Sequence, residues 1–280
     1  MELVWLKLLL IPIVVGLVGG EGWLAARRRN THGDVAGWSS SDALTSTGIG
    51  AVGQISGGLF RWAMFGVAAL LQPFALVHWP DHGVWAGVAQ LAAAILVWDM
   101  LFYCFHRAAH RTSIGWVSHR AHHESPYFNY GVALRLEWFP VLTVPIFATQ
   151  ALFGFSFGVM AAASIANGLY QGLLHTELVG PLPRYVEAVF NTPTHHRSHH
   201  DAELTRGANF GSIFIVWDRL FGTFATLRSA PITYGVTGAV PLHQPLGFLT
   251  PLVRPAPRLT GVINGVADAL RRAKRAVRVG

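Results

Sequence analysis

Histidine is the residue type that most clearly offers chemistry in this sequence. The chain of 280 residues holds 14 histidines, as many as its aspartates and glutamates together, and ten of them fall between positions 106 and 200. Neutral imidazole is a good ligand for iron, copper, zinc and nickel. The spacing of these histidines therefore shows whether they form a metal site.

The histidines form short clusters with helical spacing. His106 and His110 are four residues apart, which places both rings on one face of a helix. The pattern H-x-x-H-H occurs at residues 119–123 and again at 196–200, and on a helix its rings lie on neighbouring sides of one turn. Such a turn offers ligands to two adjacent metal ions. Together with the lone His175, the clusters hold nine or ten ligands, with His195 either a ligand or a residue behind the ligands; this number suits two ions.

Acidic residues near these clusters are expected to support the ligands, because metal-bound imidazoles usually donate their other N–H to a carboxylate or a carbonyl. Asp99 lies seven residues before His106, on the same helix face. An unpaired carboxylate is costly in an apolar helix, so we expect Asp99 to contact a His or an Arg. Glu124, Glu177 and Asp201 adjoin histidines, and each is either a similar support or an ordinary surface residue.

The composition predicts a membrane protein. Hydrophobic residues make up 52% of the chain, charged residues only 12%, and the mean hydropathy is +0.39. A soluble domain has about 25% charged residues, so the composition argues against a soluble enzyme, a disordered chain and a fibrous repeat. We assign the net charge of +7 to one side of a bilayer and expect no nucleic-acid partner. The single cysteine, Cys104, excludes an internal disulfide and a zinc site built from several cysteines.

Five apolar segments predict an all-α, multi-pass membrane protein with four or five membrane segments and a cytoplasmic, histidine-rich cap. The fourth and fifth are short for a helix that needs about 20 residues to cross a bilayer, so they either cross or form a hairpin that does not cross fully. The first is interpreted as a retained anchor, with a signal peptide as the alternative. A Gly/Ser-rich stretch at 48–58 precedes the second. The segments are residues 3–24, 59–77, 84–105, 138–153 and 157–174.

The positive charges predict the orientation of these segments. All but two of the 21 Lys and Arg lie in regions that fall on one side, which the positive-inside rule assigns to the cytoplasm. Residues 106–137 and those from 175 onward then belong to the cytoplasmic cap. The basic tail, residues 258–278, has apolar residues at helical spacing and is either an amphipathic helix on an anionic leaflet or a solvated terminal helix.

At these residues the chain resembles the fatty acid hydroxylase/sterol desaturase superfamily, and within it the alkylglycerol monooxygenase-like branch. The similarity runs from about Asp99 to Phe224, as a series of short motifs in one order. These motifs are Asp99–Tyr103, His106–His110, His119–Ser125, Phe128–Asn129, Ala133–Arg135, His175–Glu177, Gly180–Leu182, Asn191–Arg197, His199–His200 and Trp217–Phe224.

The resemblance implies a ligand set, further supporting residues and a domain organisation. In the family these histidines hold two irons that activate O2. The matching positions are His106, His110, His119, His122, His123, His175, His196, His199 and His200. Asn129, Arg135 and Asp218 join the acids as expected supports. Residues 1–82 would be N-terminal membrane segments and linker, 83–226 the di-iron catalytic domain, and 227–280 a Pro-rich stretch with the basic tail.

The chemistry implied is oxidation of an apolar substrate. Unactivated C–H bonds require a redox metal, which excludes zinc as the native ion, although zinc can replace iron in purified protein. We expect two Fe ions and O2 to hydroxylate or desaturate a lipid, sterol or related molecule that enters between the membrane segments. Electrons would come from a ferredoxin, a cytochrome b5-type protein or a pterin. Arg outnumbers Lys 19 to 2, which favours a bacterial inner membrane, with the endoplasmic reticulum as the alternative.

Two other classes of function stay open at this point. A zinc-dependent membrane hydrolase would use Glu124 or Glu177 to activate water and would act without O2. A metal transporter or storage protein would place its ligands along an aqueous path through the membrane.

Overall fold

The protein is helical throughout the part of the chain that the structure describes. The computed structural model describes residues 2–32, 38–80, 83–135, 143–204, 207–226 and 232–236. Strand pairing within them is limited to one isolated bridge between Phe190 and Phe214. The all-α prediction is confirmed. The predicted basic tail, and all of the Pro-rich stretch except residues 232–236, lie outside the described residues.

The described helices run in a simple order, with two 3₁₀ turns at Gln72–Phe74 and Val132–Leu134. Three long helices come first, and a helix of 11 residues follows them. A pair of helices and three short helices complete the order. They are α1 (Glu2–His32), α2 (Ser40–Leu71), α3 (Val84–Arg111), α4 (Ser113–His123), α5 (Val144–Leu152), α6 (Phe157–Leu174), α7 (Arg184–Val189), α8 (Pro193–His200) and α9 (Val216–Leu220).

Three of the described helical segments are long and apolar enough to cross a membrane: Ser40–Phe74, Val84–Arg111 and Phe157–Leu174. The described part of the fourth predicted segment is α5, whose nine residues are too short to span a hydrocarbon layer of about 30 Å. A tight turn joins α5 to α6, and its Phe153 carbonyl accepts a bond from Trp79 Nε1 at 2.8 Å. This arrangement matches the predicted alternative of a helical hairpin.

The second membrane helix begins much earlier than predicted. A single helix runs from Ser40, capped by the Ser39 hydroxyl, which accepts a hydrogen bond from the Asp42 amide at 3.4 Å. The Gly/Ser-rich stretch at 48–58, which we predicted as a separate stretch before the segment, is therefore part of α2. Its small residues allow close packing: a Cβ added at Gly50 would lie 2.5 Å from the Leu134 carbonyl oxygen.

An apolar core joins the membrane helices. Buried side chains of α2, α3, α5 and α6 pack together at its centre, with edge-to-face aromatic contacts such as Trp98 on Phe147 at 5.1 Å. Gln150 in α5 donates to the Ala94 carbonyl of α3 at 2.9 Å. This core fixes α3 against its neighbours, and the C-terminal end of α3 carries the first histidines.

A sharp turn folds α4 back onto the end of α3. The Thr112 hydroxyl caps α4 by accepting a hydrogen bond from the Gly115 amide at 3.1 Å. Gly115 fits this turn because an added Cβ would lie 2.5 Å from the Ala109 Cα. The turn brings the histidines of α4 opposite those of α3.

Candidate metal centre

The nine histidines predicted as ligands converge on one buried region. They form two groups, and within each group the ring nitrogens that could bind a metal lie within 4.8 Å of one another. His122 is half-buried and the other eight are buried. The five-histidine group consists of His106, His110, His119, His123 and His199, and the four-histidine group of His122, His175, His196 and His200.

The two H-x-x-H-H patterns divide their rings between the groups in opposite ways. In α4, His119 and His123 belong to the five-histidine group and His122 to the four-histidine group. In α8, His196 and His200 belong to the four-histidine group, while His199 joins the other. In each helix the i, i+4 pair shares a face and the remaining ring points to the neighbouring group. Two short helices thus contribute to both groups.

The donor set fits metal ions. Imidazole nitrogens approach each other closely: His106 Nε2 lies 3.0 Å from His119 Nε2, and His175 Nε2 lies 2.9 Å from His196 Nε2. The Nε2 atoms of His199 and His200 are buried without a hydrogen-bond partner among the described residues. Buried polar atoms normally have partners, so one such atom in each group indicates that a cation belongs there.

Burial keeps several of the rings neutral. For the six rings named below, burial, reinforced by neighbouring imidazoles, lowers the pKa below the ordinary value of about 6.5. Since neutral imidazole is the form that binds metals, the groups are prepared for metal at neutral pH. The pKa falls to about 4 for His175 and to about 3 for His199, and well below its usual range for His122, His123, His196 and His200.

Backbone carbonyls orient three of the rings. His106 Nδ1 donates to the Phe210 carbonyl and His199 Nδ1 to the Ala208 carbonyl, both at 2.9 Å. His175 Nδ1 donates to the Gln171 carbonyl at 2.8 Å. A carbonyl only accepts, so Nδ1 carries the proton in these rings and the lone pair of Nε2 faces the group. This is the outer hydrogen bond that metal-binding histidines usually make.

Asp99 lies on the predicted face of α3, but its hydrogen bonds differ from those we predicted. It accepts from the amides of Ile213 and Phe214, at 2.6 and 3.1 Å, and from Trp217 Nε1 at 2.8 Å. Asn167 in α6 adds a fourth bond at 3.2 Å. The expected contact with a His or an Arg was wrong, because the loop after α8 brings unpaired backbone donors to this carboxylate.

Asp218 and Arg135 lie outside the two histidine groups and bond to the backbone next to them. Asp218 accepts from the amides of Phe210 and Gly211, at 2.8 and 2.7 Å, within the loop that binds His106. Arg135 donates to the Ala121 carbonyl at 3.3 Å, next to the histidines of α4. Both residues therefore contact the backbone, and neither contacts a histidine ring through these bonds.

The other predicted supports make their described hydrogen bonds elsewhere. Glu124 pairs with Arg120 in α4 at 2.9 Å, and Glu177 accepts from the Tyr234 hydroxyl at 2.9 Å. Oxygens of Asp201 and Asn129 accept from backbone amides two residues on, those of Glu203 and Gly131. His195 lies outside both groups, with Nδ1 3.4 Å from Thr192 Oγ1 and its ring against Phe224.

Two buried acids near the site were not predicted. Asp42 in α2 pairs with Arg135 at 2.5 Å and accepts from the Ser125 hydroxyl at 3.0 Å. Glu21 in α1 accepts from the Thr176 hydroxyl and the Tyr130 amide, both at 2.6 Å. The signal that could have found Glu21 is the one used for Asp99, a lone carboxylate in an apolar helix.

Comparison with known proteins shows which family the histidine-rich segment matches. The sequence profile of the fatty acid hydroxylase family matches residues 91–223. This match confirms the resemblance drawn from the short motifs. The matched range includes all nine histidines of the two groups.

Individual relatives narrow the comparison. The chain is 31% identical over 210 residues to the alkylglycerol monooxygenase of Homo sapiens, covering 73% of this chain and 45% of that protein. It is 41% identical over 148 residues to that of Danio rerio, covering 51% of this chain and 32% of the relative. It is also 26% identical to the ornithine lipid hydroxylase OlsE of Rhizobium tropici, covering 92% of this chain and 77% of the relative. The chain thus spans less than half the length of the alkylglycerol monooxygenases, and no solved structure matches it significantly.

Proposed function

We propose that this protein is an integral membrane, O2-dependent lipid hydroxylase or desaturase that binds two iron ions, one in each histidine group. The observation that carries the proposal is the convergence of nine imidazoles into two adjacent groups, in a segment that matches the fatty acid hydroxylase family. Zinc can occupy the same ligands but has no redox chemistry. When bound, two irons would activate O2, with electrons from an external donor, so that it could oxidise an unactivated C–H bond.

The chain's own residues would orient the ligands and exclude water from them. Phe128 packs against the rings of His175 and His200, at 5.6 and 5.0 Å. On the other group, Phe210 lies 5.3 Å from His110 and Trp116 lies 5.4 Å from the same ring. Such apolar walls protect a reactive centre from side reactions with water. This packing supports an oxidative role more than a transport role, which needs an aqueous path.

The length of α3 supports a site at the membrane surface. Its 28 residues extend about 42 Å at 1.5 Å per residue, whereas the hydrocarbon core is about 30 Å thick. His106 and His110 lie in its last turns, so they would emerge on the side that the positive charges assign to the cytoplasm. The alkyl chain of a lipid would then reach the histidine groups from between the membrane helices, while its headgroup stays at the interface.

The relatives suggest the class of substrate. Alkylglycerols and ornithine lipids both combine a polar headgroup with alkyl chains, and we propose a substrate of this type, without choosing between hydroxylation and desaturation. Electrons would come from outside the described chain, from a ferredoxin, a cytochrome b5-type protein or a pterin. A bacterial inner membrane is the preferred location, with the endoplasmic reticulum as the alternative.

Two measurements test this proposal. Mössbauer spectroscopy on detergent-purified protein, from cells grown on isotopically enriched iron, should show a coupled pair with two irons per chain. Lipids from membranes expressing the protein, incubated with isotopically labelled O2, should contain a product carrying one labelled oxygen if the reaction is a hydroxylation, or lacking two hydrogens if it is a desaturation. The product should be absent with His199→Ala. Zinc-dependent activity without O2 would instead establish a hydrolase, and metal flux into vesicles a transporter.

A further inference from the structure

We propose that Asp218 is a positioning residue for one of the two metals, the one in the five-histidine group. It would act through a single peptide bond, between Phe210 and Gly211. The inference rests on the proposed function only in taking the histidine groups as metal sites, and it applies whichever metal they bind.

The Phe210–Gly211 peptide connects Asp218 to His106. The Gly211 amide donates to Asp218 Oδ2 at 2.7 Å, and the Phe210 carbonyl accepts from His106 Nδ1 at 2.9 Å. In a trans peptide the N–H and the C=O point in opposite directions from one rigid plane. By binding the N–H, Asp218 therefore fixes the orientation of this peptide plane. The C=O on the opposite side of the plane then holds the His106 ring. It also accepts from the Phe210 amide at 2.8 Å, which fixes the preceding peptide.

A second peptide, between Ala208 and Asn209, repeats this arrangement for His199. The Ala208 carbonyl accepts from His199 Nδ1, and the Asn209 amide of the same peptide donates to the Thr223 carbonyl at 2.9 Å. The Thr223 hydroxyl in turn donates to Asp218 Oδ1 at 2.6 Å.

Asn209, which follows the first of these two carbonyls, also has an unusual backbone. Asn209 has a φ of 57°, the left-handed region that asparagine tolerates better than most residues. Its side-chain amide donates to the carbonyls of His195 and Ala225, at 3.1 and 2.8 Å, so the conformation is held by tertiary contacts. The segment 208–211 is thus a fixed loop that presents two carbonyls to two imidazoles.

The four-histidine group does not share this support. His175 Nδ1 donates to the carbonyl of Gln171, four residues earlier in the chain. The loop at 208–211 gives no carbonyl to His175. Loss of the Asp218 carboxylate should consequently weaken metal binding in one group only, and this selectivity separates positioning from a general loss of stability.

The test is Asp218→Asn in the full-length protein, with iron counted and electron paramagnetic resonance recorded on the monodisperse fraction. An asparagine amide has one acceptor oxygen, so wherever its NH2 lies it faces one of the two backbone N–H donors. We expect iron to fall from two per chain to one. The remaining ferric ion should give the signal of an isolated ion, which a coupled pair does not show.

A matched control separates positioning from stability. Thr223→Val removes the buried hydroxyl between Asp218 and Tyr103, but it leaves both backbone bonds to Asp218 and the Thr223 carbonyl in place. It should lower the melting temperature and keep both irons. Gly211→Ala is the second variant, since its Cβ would overlap the Phe214 carbonyl oxygen and shift the same peptide without changing a charge. It should lose one iron.

Combining variants identifies which iron is lost. In a His199→Ala background, where the five-histidine group is already damaged, Asp218→Asn should cause no further loss. In a His200→Ala background it should remove the remaining iron. The proposal is overturned if Asp218→Asn keeps both irons, if it loses both, or if Thr223→Val loses as much. A wild-type protein that binds two zinc ions and acts on its substrate without O2 would refute the proposed function alone, because the same single-ion loss would still be measurable with zinc.

Discussion

The two histidine groups use the same side chain but are supported in different ways. In the five-histidine group, His106 binds the carbonyl of Phe210, a residue 104 positions later in the chain. In the four-histidine group, His175 binds the carbonyl of Gln171, four positions earlier. The first support depends on a loop held by tertiary contacts, and the second on the local backbone. Perturbations at a distance should therefore damage the two groups unequally.

The two histidine groups also differ in the aromatic residues that cover them. Phe128 stacks between the rings of His175 and Tyr234, with centroid distances of 5.6 and 5.2 Å. The four-histidine group thus gains a cover from a separate segment, residues 232–236, whereas the five-histidine group is enclosed by Trp116 and Phe210. Variants on each side can establish whether the groups lose metal independently.

The largest effect should follow from removing a ligand. His199→Ala in the five-histidine group and His122→Ala in the four-histidine group should each abolish lipid oxidation while leaving the membrane helices folded. Each should lose activity beyond the about 10–100-fold cost of removing a supporting residue. Product formation, iron content and helicity by circular dichroism are the measurements. His78→Ala, at an exposed position, is the control. Unchanged activity in either purified ligand variant would refute the assignment.

The next largest effect should come from breaking the Asp42–Arg135 pair. Both side chains are essentially buried, so removing one partner should cost about 3–5 kcal/mol of unfolding free energy. Arg135 holds the Ala121 carbonyl of α4, and α4 supplies histidines to both groups. Arg135→Met should therefore lose both irons together, unlike Asp218→Asn. Metal content and melting temperature in detergent check this expectation, and loss of a single iron would contradict it.

Acid should destabilise the metal-free protein. The unfolded histidines take up protons near their ordinary pKa of about 6.5, whereas burial lowers the pKa of His175 to about 4 and that of His199 to about 3. Between these pH values the unfolded state binds more protons than the folded state. The free energy of unfolding is therefore highest above about pH 6.5 and falls as the pH drops toward about 4. Melting temperatures of chelator-treated protein from about pH 8 to about pH 5 measure this slope. His175→Ala should flatten it, and an unchanged slope would contradict the burial argument.

The sequence predicted which histidines converge better than it predicted which residues contact one another around them, for a physical reason. The H-x-x-H-H and H-x-x-x-H spacings are local, so helical geometry alone places those rings on faces that can meet. The supporting pairs are distant in sequence: 93 residues separate Asp42 from Arg135, and 155 separate Glu21 from Thr176. No local sequence pattern therefore predicts these pairs. Asp99 illustrates both cases. Its position on the helix face could be predicted from spacing, but its hydrogen-bond partners, the backbone amides of a distant loop, could not.

The same reasoning applies to the fold. Hydropathy located the apolar segments but placed the start of α2 too late, because the glycines and serines of 48–58 indicate a loop on propensity alone. In the folded protein, Gly50 allows the Leu134 backbone to approach, and this packing overrides propensity. The α5 hairpin was predicted only as an alternative. The apolar segment at 138–153 is nearly as long as a crossing helix, so the length of the segment did not decide between the two.

A smaller effect should appear at the four-histidine group when Glu21 is changed. Its carboxylate accepts from Thr176, the neighbour of His175, and from the Tyr130 amide. Glu21→Gln places an amide NH2 against one of these donors, which should cost about 1–3 kcal/mol. We expect weaker iron binding in the four-histidine group with the other iron retained. Iron titration of Glu21→Gln in the His199→Ala background measures this directly, and unaltered affinity there would show that α1 does not support the site.

The smallest effect should come from Tyr234→Phe, which separates the two contributions of this residue. The variant loses the hydroxyl bond to Glu177, worth about 0.5–1.5 kcal/mol, but keeps the ring stacked on Phe128. Both irons should remain. Tyr234→Ala removes the stack as well and should expose Phe128, the ring that covers His175 and His200, so iron in the four-histidine group should exchange faster with a chelator. If Tyr234→Phe speeds exchange as much as Tyr234→Ala, the hydrogen bond rather than the aromatic cover protects this group.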